Sequence, residues 1–175
     1  VLSNKIYGLL SLWKYMAEVI KQQDSRRIFI DTLIELAEKD DKIVLITCDV
    51  GFNYLEKFQE KFPDRFFNFG VTEASSILIA SGMALSGFKL YFYSMINFVL
   101  FRPYEMVRNG IVKHNANVKL IGVKGSEKYK FLGFSHNMTD DAEDIRAFYG
   151  KLFPVPELVS PAMITAQVNF NFNAL

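Results

Sequence analysis

The stretch FFNFGVTEASSILIASGMALSGFKLYFYS, residues 66–94, decides the fold. Its opening, Phe66–Val71, is aromatic and apolar and reads as a short strand. Glu73–Ser86 is rich in small and apolar side chains and reads as a helix that Gly87 ends. Lys89–Ser94 is a second, aromatic strand. Strand, helix and strand in immediate succession imply parallel strands joined by a crossover.

The same alternation continues on both sides. Toward the N-terminus, Arg26–Lys39 has Ile28, Phe29, Leu33, Leu36 and Ala37 at helical spacing, with Asp24 or Ser25 available as a cap. Ile43–Thr47 is an unbroken apolar run between charges, so it reads as a buried strand, and Asp49-Val50-Gly51 is the turn after it. Tyr54–Phe62 reads as a short amphipathic helix stopped by Pro63. Toward the C-terminus, Phe98–His114 is helical with a break expected at Pro103. Val118–Val123 is a strand, Gly125–Phe134 a loop, Thr139–Tyr149 a helix with an acidic first turn, and Val155–Val159 a last strand. Strands that are apolar throughout belong to sheets covered on both faces. The expected fold is therefore α/β, a parallel sheet with helices on both faces. Residues 1–25 read as a helical lead-in, 26–160 as the α/β domain, and 161–175 as a tail or the start of a next domain.

Composition bounds the partners. The chain has 175 residues, half of them hydrophobic, 17 of them Phe, and a net charge of +1. That supplies a core for one domain and argues against disorder. Lys and Arg are scattered among Asp and Glu, so neither nucleic acid nor an anionic membrane is an expected partner. Cys48 is the only cysteine, which excludes an intrachain disulfide and fits a reducing compartment, the cytoplasm. Lying in an apolar run, Cys48 reads as a buried, inert thiol.

In a parallel sheet the working residues gather at the carboxyl ends of the strands. The polar residues there are Asp49, Glu73, Asn97, Ser135 and His136. Glu73 stands between a Phe-rich strand and an apolar helix. It is either a desolvated carboxyl group, able to give a proton or a strong hydrogen bond, or a dipole-complementing residue in a helix capped by Thr72. Met95, Phe98, Phe101 and Tyr104 form a stripe that is either a pocket wall for a flat ring or plain core. His114 closes a helix, and His136 sits in a Gly- and Ser-containing loop. The sequence holds no P-loop, no Gly-x-Gly-x-x-Gly, no nucleophile elbow and no metal-ligand spacing.

Four segments, in order, carry a resemblance: RIFIDTLIELAEKDDKIVLITCDVG (27–51), FPDRFFNFGVTEASSILIASGMALSG (62–87), YSMINFVLFRPYEMVRNGIVKHNANVKLIGV (93–123) and LGFSHNMTDDAEDIRAF (132–148). Together they resemble the pyrimidine-binding domain of the transketolase family, particularly its separate C-terminal-type subunits. The resemblance implies thiamine diphosphate as cofactor. Glu73 falls on the family's catalytic glutamate, which hydrogen-bonds N1′ of the aminopyrimidine and favours the imino form that deprotonates the thiazolium C2. Phe98 and Phe101 fall where aromatic rings pack against the pyrimidine, with Met95 in place of a frequent aromatic residue. His136 falls on a histidine near the reacting carbon, and Asp49 near the cofactor edge or substrate channel. Ala74, Cys48, Lys124 and Glu127 also depart from the usual pattern.

The resemblance further implies a partner. The Gly-Asp-Gly…Asn motif that holds the diphosphate and its Mg²⁺ (or Ca²⁺) belongs to another domain and does not occur in this sequence. A diphosphate-binding, N-terminal-type chain or domain is therefore expected to complete the site, in a dimer or hetero-oligomer. The family's C-terminal domain is also not in the sequence, which leaves a fragment, a truncated product or a reduced subunit open. The implied reaction is transfer of a two-carbon ketol unit between sugar phosphates. A deoxyxylulose-phosphate-synthase-like ligase and a non-catalytic partner subunit are the alternatives.

Overall fold

A computed structural model describes residues 25–123 and 131–136. Four parallel strands, β1 (Ile43–Thr47), β2 (Phe66–Asn68), β3 (Lys89–Met95) and β4 (Val118–Val123), form one sheet in the order β2-β1-β3-β4. Leu45 pairs with Phe66 on one side and Tyr91 on the other, and Leu90 pairs with Val118. Helix α1 (Ser25–Lys39) and helix α2 (Glu56–Lys61) cover one face, where Ile30, Leu33 and Phe58 pack on Ile43, Leu45, Tyr93 and Ile121. Helix α3 (Glu73–Leu85), helix α4 (Ile96–Leu100) and a π-helical turn (Val107–Val112) cover the other, over Val44, Ile46, Phe92 and Leu120. The expected two-sided parallel sheet is what forms, because every β1 residue is buried. Each fully buried Phe or Leu contributes about 1.5–3 kcal/mol relative to exposure.

Boundaries shift where local chemistry overrides the hydrophobic pattern. The strand expected over Phe66–Val71 stops at Asn68, whose side-chain oxygen accepts from the N–H groups of Asp49 (2.9 Å) and Gly70 (3.1 Å). This leaves the sheet's hydrogen-bond ladder and turns the chain toward α3. The helix expected from Tyr54 starts at Glu56, since Tyr54 and Leu55 are spent turning back onto the Gly51 carbonyl. The long helix expected over Phe98–His114 is three pieces: α4, helix α5 (Tyr104–Met106) and the π-helical turn. Pro103 lacks the donor that would continue α4, and the break is where the sequence puts it. Met95 is consequently the last residue of β3 and not part of a helical stripe.

One close approach positions the site. A Cβ on Gly122 would lie 3.2 Å from the Ile96 Cα, so only glycine lets α4 begin directly against β4. That contact brings Phe98 over the carboxyl end of the sheet. Among the described residues, no helix is long and apolar enough to cross a membrane. The lead-in before residue 25, the helix at 139–149, the strand at 155–159, Lys124, Glu127 and the tail 161–175 lie outside the described residues.

Candidate cofactor-binding site

Glu73 is the first residue of α3 and only 3% exposed. The chain reaches it through a turn held by Asn68 and by Thr72, whose hydroxyl donates to the Phe69 carbonyl (2.8 Å) and lies 3.0 Å from the Ser76 hydroxyl. The Thr72 side chain does not cap the helix, contrary to one of the two sequence readings. The burial expected of Glu73 is present. The carboxylate also has a counter-charge that sequence reasoning missed: Arg102 Nη1 donates to Oε1 at 2.9 Å.

Arg102 joins three of the expected site residues. Its guanidinium lies over the Phe98 ring, 3.6 Å from the centroid, while it holds Glu73. Phe98 is buried, and the His136 ring meets it edge-on at 5.0 Å and 79°. His136 Nδ1 is 2.9 Å from the Ser135 hydroxyl, which leaves Nε2 as the nitrogen available to a ligand. Glu73, Phe98 and His136 thus form one connected group through Arg102. The signal for Arg102 was its i, i+4 spacing from Phe98. His114 takes no part: its Nδ1 pairs with the Asn109 carbonyl at 2.7 Å, at a helix end as its position suggests.

Asp49 and Met95 lie elsewhere. Both line a cavity of about 420 Å³ at the carboxyl ends of β1, β3 and β4, together with Arg26, Asn53, Tyr54 and Tyr93. Arg26 lies 3.9 Å over the Tyr54 ring. Asp49 has a left-handed backbone (φ 56°), which its N–H bond to Asn68 fixes. Arg26 carried no sequence signal beyond a helix start. Phe101 is 39% exposed, and among the described residues its ring contacts none of the other site rings. The stripe expected through Met95, Phe98, Phe101 and Tyr104 is therefore divided, because the chain leaves helical geometry on either side of α4.

Cys48 is 1% exposed and its thiol faces the Ser76 hydroxyl at 3.5 Å. Burial pushes the thiol pKa up, and the Ser76 hydrogen bond only partly opposes this. It is the inert thiol expected. Among the described residues no three His, Cys, Asp or Glu side chains converge as metal ligands.

The buried Glu73 carboxylate has Oε1 taken by Arg102 and no hydrogen bond to Oε2 among the described residues. A carboxylate oxygen beside a buried aromatic ring suits a flat heterocycle with one ring N–H, so the residues present fit an aminopyrimidine.

Comparison with known proteins agrees. An apulose-4-phosphate transketolase chain of Phocaeicola vulgatus, one of that enzyme's separate subunits, is 34% identical over 132 residues, spanning 75% of this chain and 42% of that protein. The 1-deoxy-D-xylulose-5-phosphate synthase of Clostridium perfringens is 30% identical over 178 residues, 98% of this chain and 28% of that one. The chain therefore spans less than half the length of these relatives. A solved split-gene transketolase, described as an inactive beta4 tetramer, superposes with a TM-score of 0.57 at 24% identity, over 84% of this chain and 56% of that one, and shares the fold. Residues 21–150 match the family described as transketolase, pyrimidine binding domain, and the chain belongs to that family.

Proposed function

We propose that this chain, with residues 26–160 as its pyrimidine-binding unit, is the pyrimidine side of a thiamine-diphosphate-dependent, transketolase-like transferase. A diphosphate-binding chain would complete the site and hold the Mg²⁺. The observation that carries this reading is Glu73: a carboxylate 3% exposed, at a strand-to-helix turn, beside the ring of Phe98. When bound, the cofactor supplies the carbanion chemistry that breaks and makes carbon–carbon bonds.

This chain's residues bind and orient. Glu73 Oε2 accepts a hydrogen bond from the ring nitrogen and holds the ring in its reactive tautomer. Phe98 gives the ring an apolar wall and excludes water, which strengthens the Glu73 contact. His136, through Nε2, hydrogen-bonds or moves a proton at the substrate's hydroxyl or carbonyl oxygen. The cavity lined by Arg26, Asp49 and Asn53 suits a polyhydroxylated phosphate ester, with Arg26 for the phosphate and Asp49 for hydroxyls. Sugar phosphates are the substrates proposed on that basis, and transfer of a two-carbon ketol unit is the reaction. A deoxyxylulose-phosphate-synthase-like reaction is the second reading, favoured by the match that runs over 98% of the chain.

The test is H/D exchange at C2 of thiamine diphosphate, with Mg²⁺ and the diphosphate-binding chain present. Exchange should be fast for the wild type and slowed by at least about a hundredfold in Glu73→Gln, in the range general acid–base groups contribute. Equal rates for the two, in a complex shown to be assembled, would end the catalytic reading and leave a non-catalytic subunit. The carbon skeleton of the product then separates the two reactions.

A further inference from the structure

We infer that Arg102 is a positioning residue that fixes which oxygen of Glu73 meets the cofactor, an inference that rests on the reading of Glu73 above. Two contacts on different groups hold the guanidinium: Nη1 donates to Glu73 Oε1 at 2.9 Å, and the group lies 3.6 Å over the Phe98 ring. The planar fork of Arg makes both contacts at once, which the ammonium of Lys does not reproduce. Engaging Oε1 stops the carboxylate from rotating, so Oε2 keeps one direction. The same group braces one face of Phe98, while the edge contact to His136 (5.0 Å) fixes the ring's orientation. Arg102 thereby sets the mutual geometry of the hydrogen-bond acceptor and the apolar wall. Its location suits this role: it is the second residue after α4, at the break that Pro103 imposes, so its side chain folds back over the helix end. Its side chain is 41% exposed while that of Glu73 is 3% exposed, so the cation stays solvated and the carboxylate it orients stays out of water.

The same two contacts admit an opposite role. A planar cation on Phe98 and Glu73 could be a latch that occupies the ring's place and must leave when the cofactor enters. A ring with two faces and a carboxylate with two oxygens leave one of each open beside Arg102, which favours positioning, and the two roles predict opposite signs.

The experiment uses the full chain, as wild type, Arg102→Gln, Arg102→Lys and Glu73→Gln. Each is reconstituted with the diphosphate-binding chain, Mg²⁺ and thiamine diphosphate at several concentrations. Positioning predicts that C2 exchange at saturating cofactor falls by about tenfold or more in Arg102→Gln, as misplacement of a catalytic group does. Arg102→Lys should recover only part of the loss. In the isolated chain without cofactor, the melting temperatures of Arg102→Gln, Glu73→Gln and the double variant should be non-additive, as for any coupled pair. Tighter cofactor binding with undiminished exchange in Arg102→Gln overturns positioning in favour of the latch. Unchanged exchange at saturation with a lowered melting temperature overturns it in favour of a purely structural contact. Additive melting shifts overturn the ion pair itself. Wild-type exchange in Glu73→Gln removes the underlying reading and this inference with it; loss there with none in Arg102→Gln removes this inference alone.

Discussion

Cys48 touches the Ser76 hydroxyl, and Glu73 lies one helical turn before Ser76. Both are excluded from water, yet their environments differ in charge. The Cys48 thiol has a hydroxyl beside it, and burial raises its pKa. A thiol needs its ionised form to react, and each unit of upward shift removes about tenfold of that form. Native Cys48 should therefore be alkylated by iodoacetamide at pH 8 at least about tenfold more slowly than in the chain unfolded by urea. Comparable rates, followed by mass spectrometry, would mean that the thiol is accessible. Glu73, by contrast, has a guanidinium 2.9 Å away. Its burial was legible from the apolar residues on both sides of it. Its counter-charge was not, because a salt bridge between residues 73 and 102 depends on where two helices start on the sheet.

At the scale of elements, the four strands and the helices between them follow from hydrophobic runs punctuated by Gly and Pro, and β1 and β4 have the expected limits. What the pattern misjudged was the ends. Asn68 closed β2 early with its own side chain, and Gly51 drew Tyr54 and Leu55 out of α2. These are side-chain and turn hydrogen bonds, invisible to a count of apolar positions. The contact of α4 with β4 is a further case. Gly122 reads as an ordinary strand residue until Ile96 is seen against it, with atoms 3.0, 3.1 and 3.2 Å from where a Cβ would be. The last of these is the Ile96 Cα, a backbone atom that no side-chain rotation moves away. Gly122→Ala should destabilise the chain by about 1–3 kcal/mol, the cost of overpacking, read as a lower urea midpoint. Because α4 carries Phe98, the variant should also weaken cofactor binding in the assembled enzyme. A midpoint equal to the wild type would show that α4 moves freely over the sheet.

Over the whole molecule, the described residues supply an acceptor, an apolar wall, a histidine and a cavity, and all of these belong to the pyrimidine and substrate side. Nothing assigned to them holds a diphosphate. The chain alone should bind thiamine diphosphate with Mg²⁺ weakly, and adding the diphosphate-binding chain should tighten binding by at least about tenfold, equivalent to about 1.4 kcal/mol. Calorimetric titrations with and without that chain check this. Full affinity for the isolated chain would mean that its own residues hold the diphosphate.

The sequence by itself determined the alternation of strand and helix, the parallel two-sided sheet and the position of Glu73 at a strand end. These follow from local hydrophobicity and from turn residues, which act over a few neighbours. Only the tertiary structure decided that Glu73, Phe98 and His136 meet through Arg102, while Asp49 and Met95 face a separate cavity with Arg26. That division depends on which face each residue takes at the end of its strand and on how closely α4 approaches β4. Contacts between residues tens of positions apart are set by packing, and no local pattern encodes them.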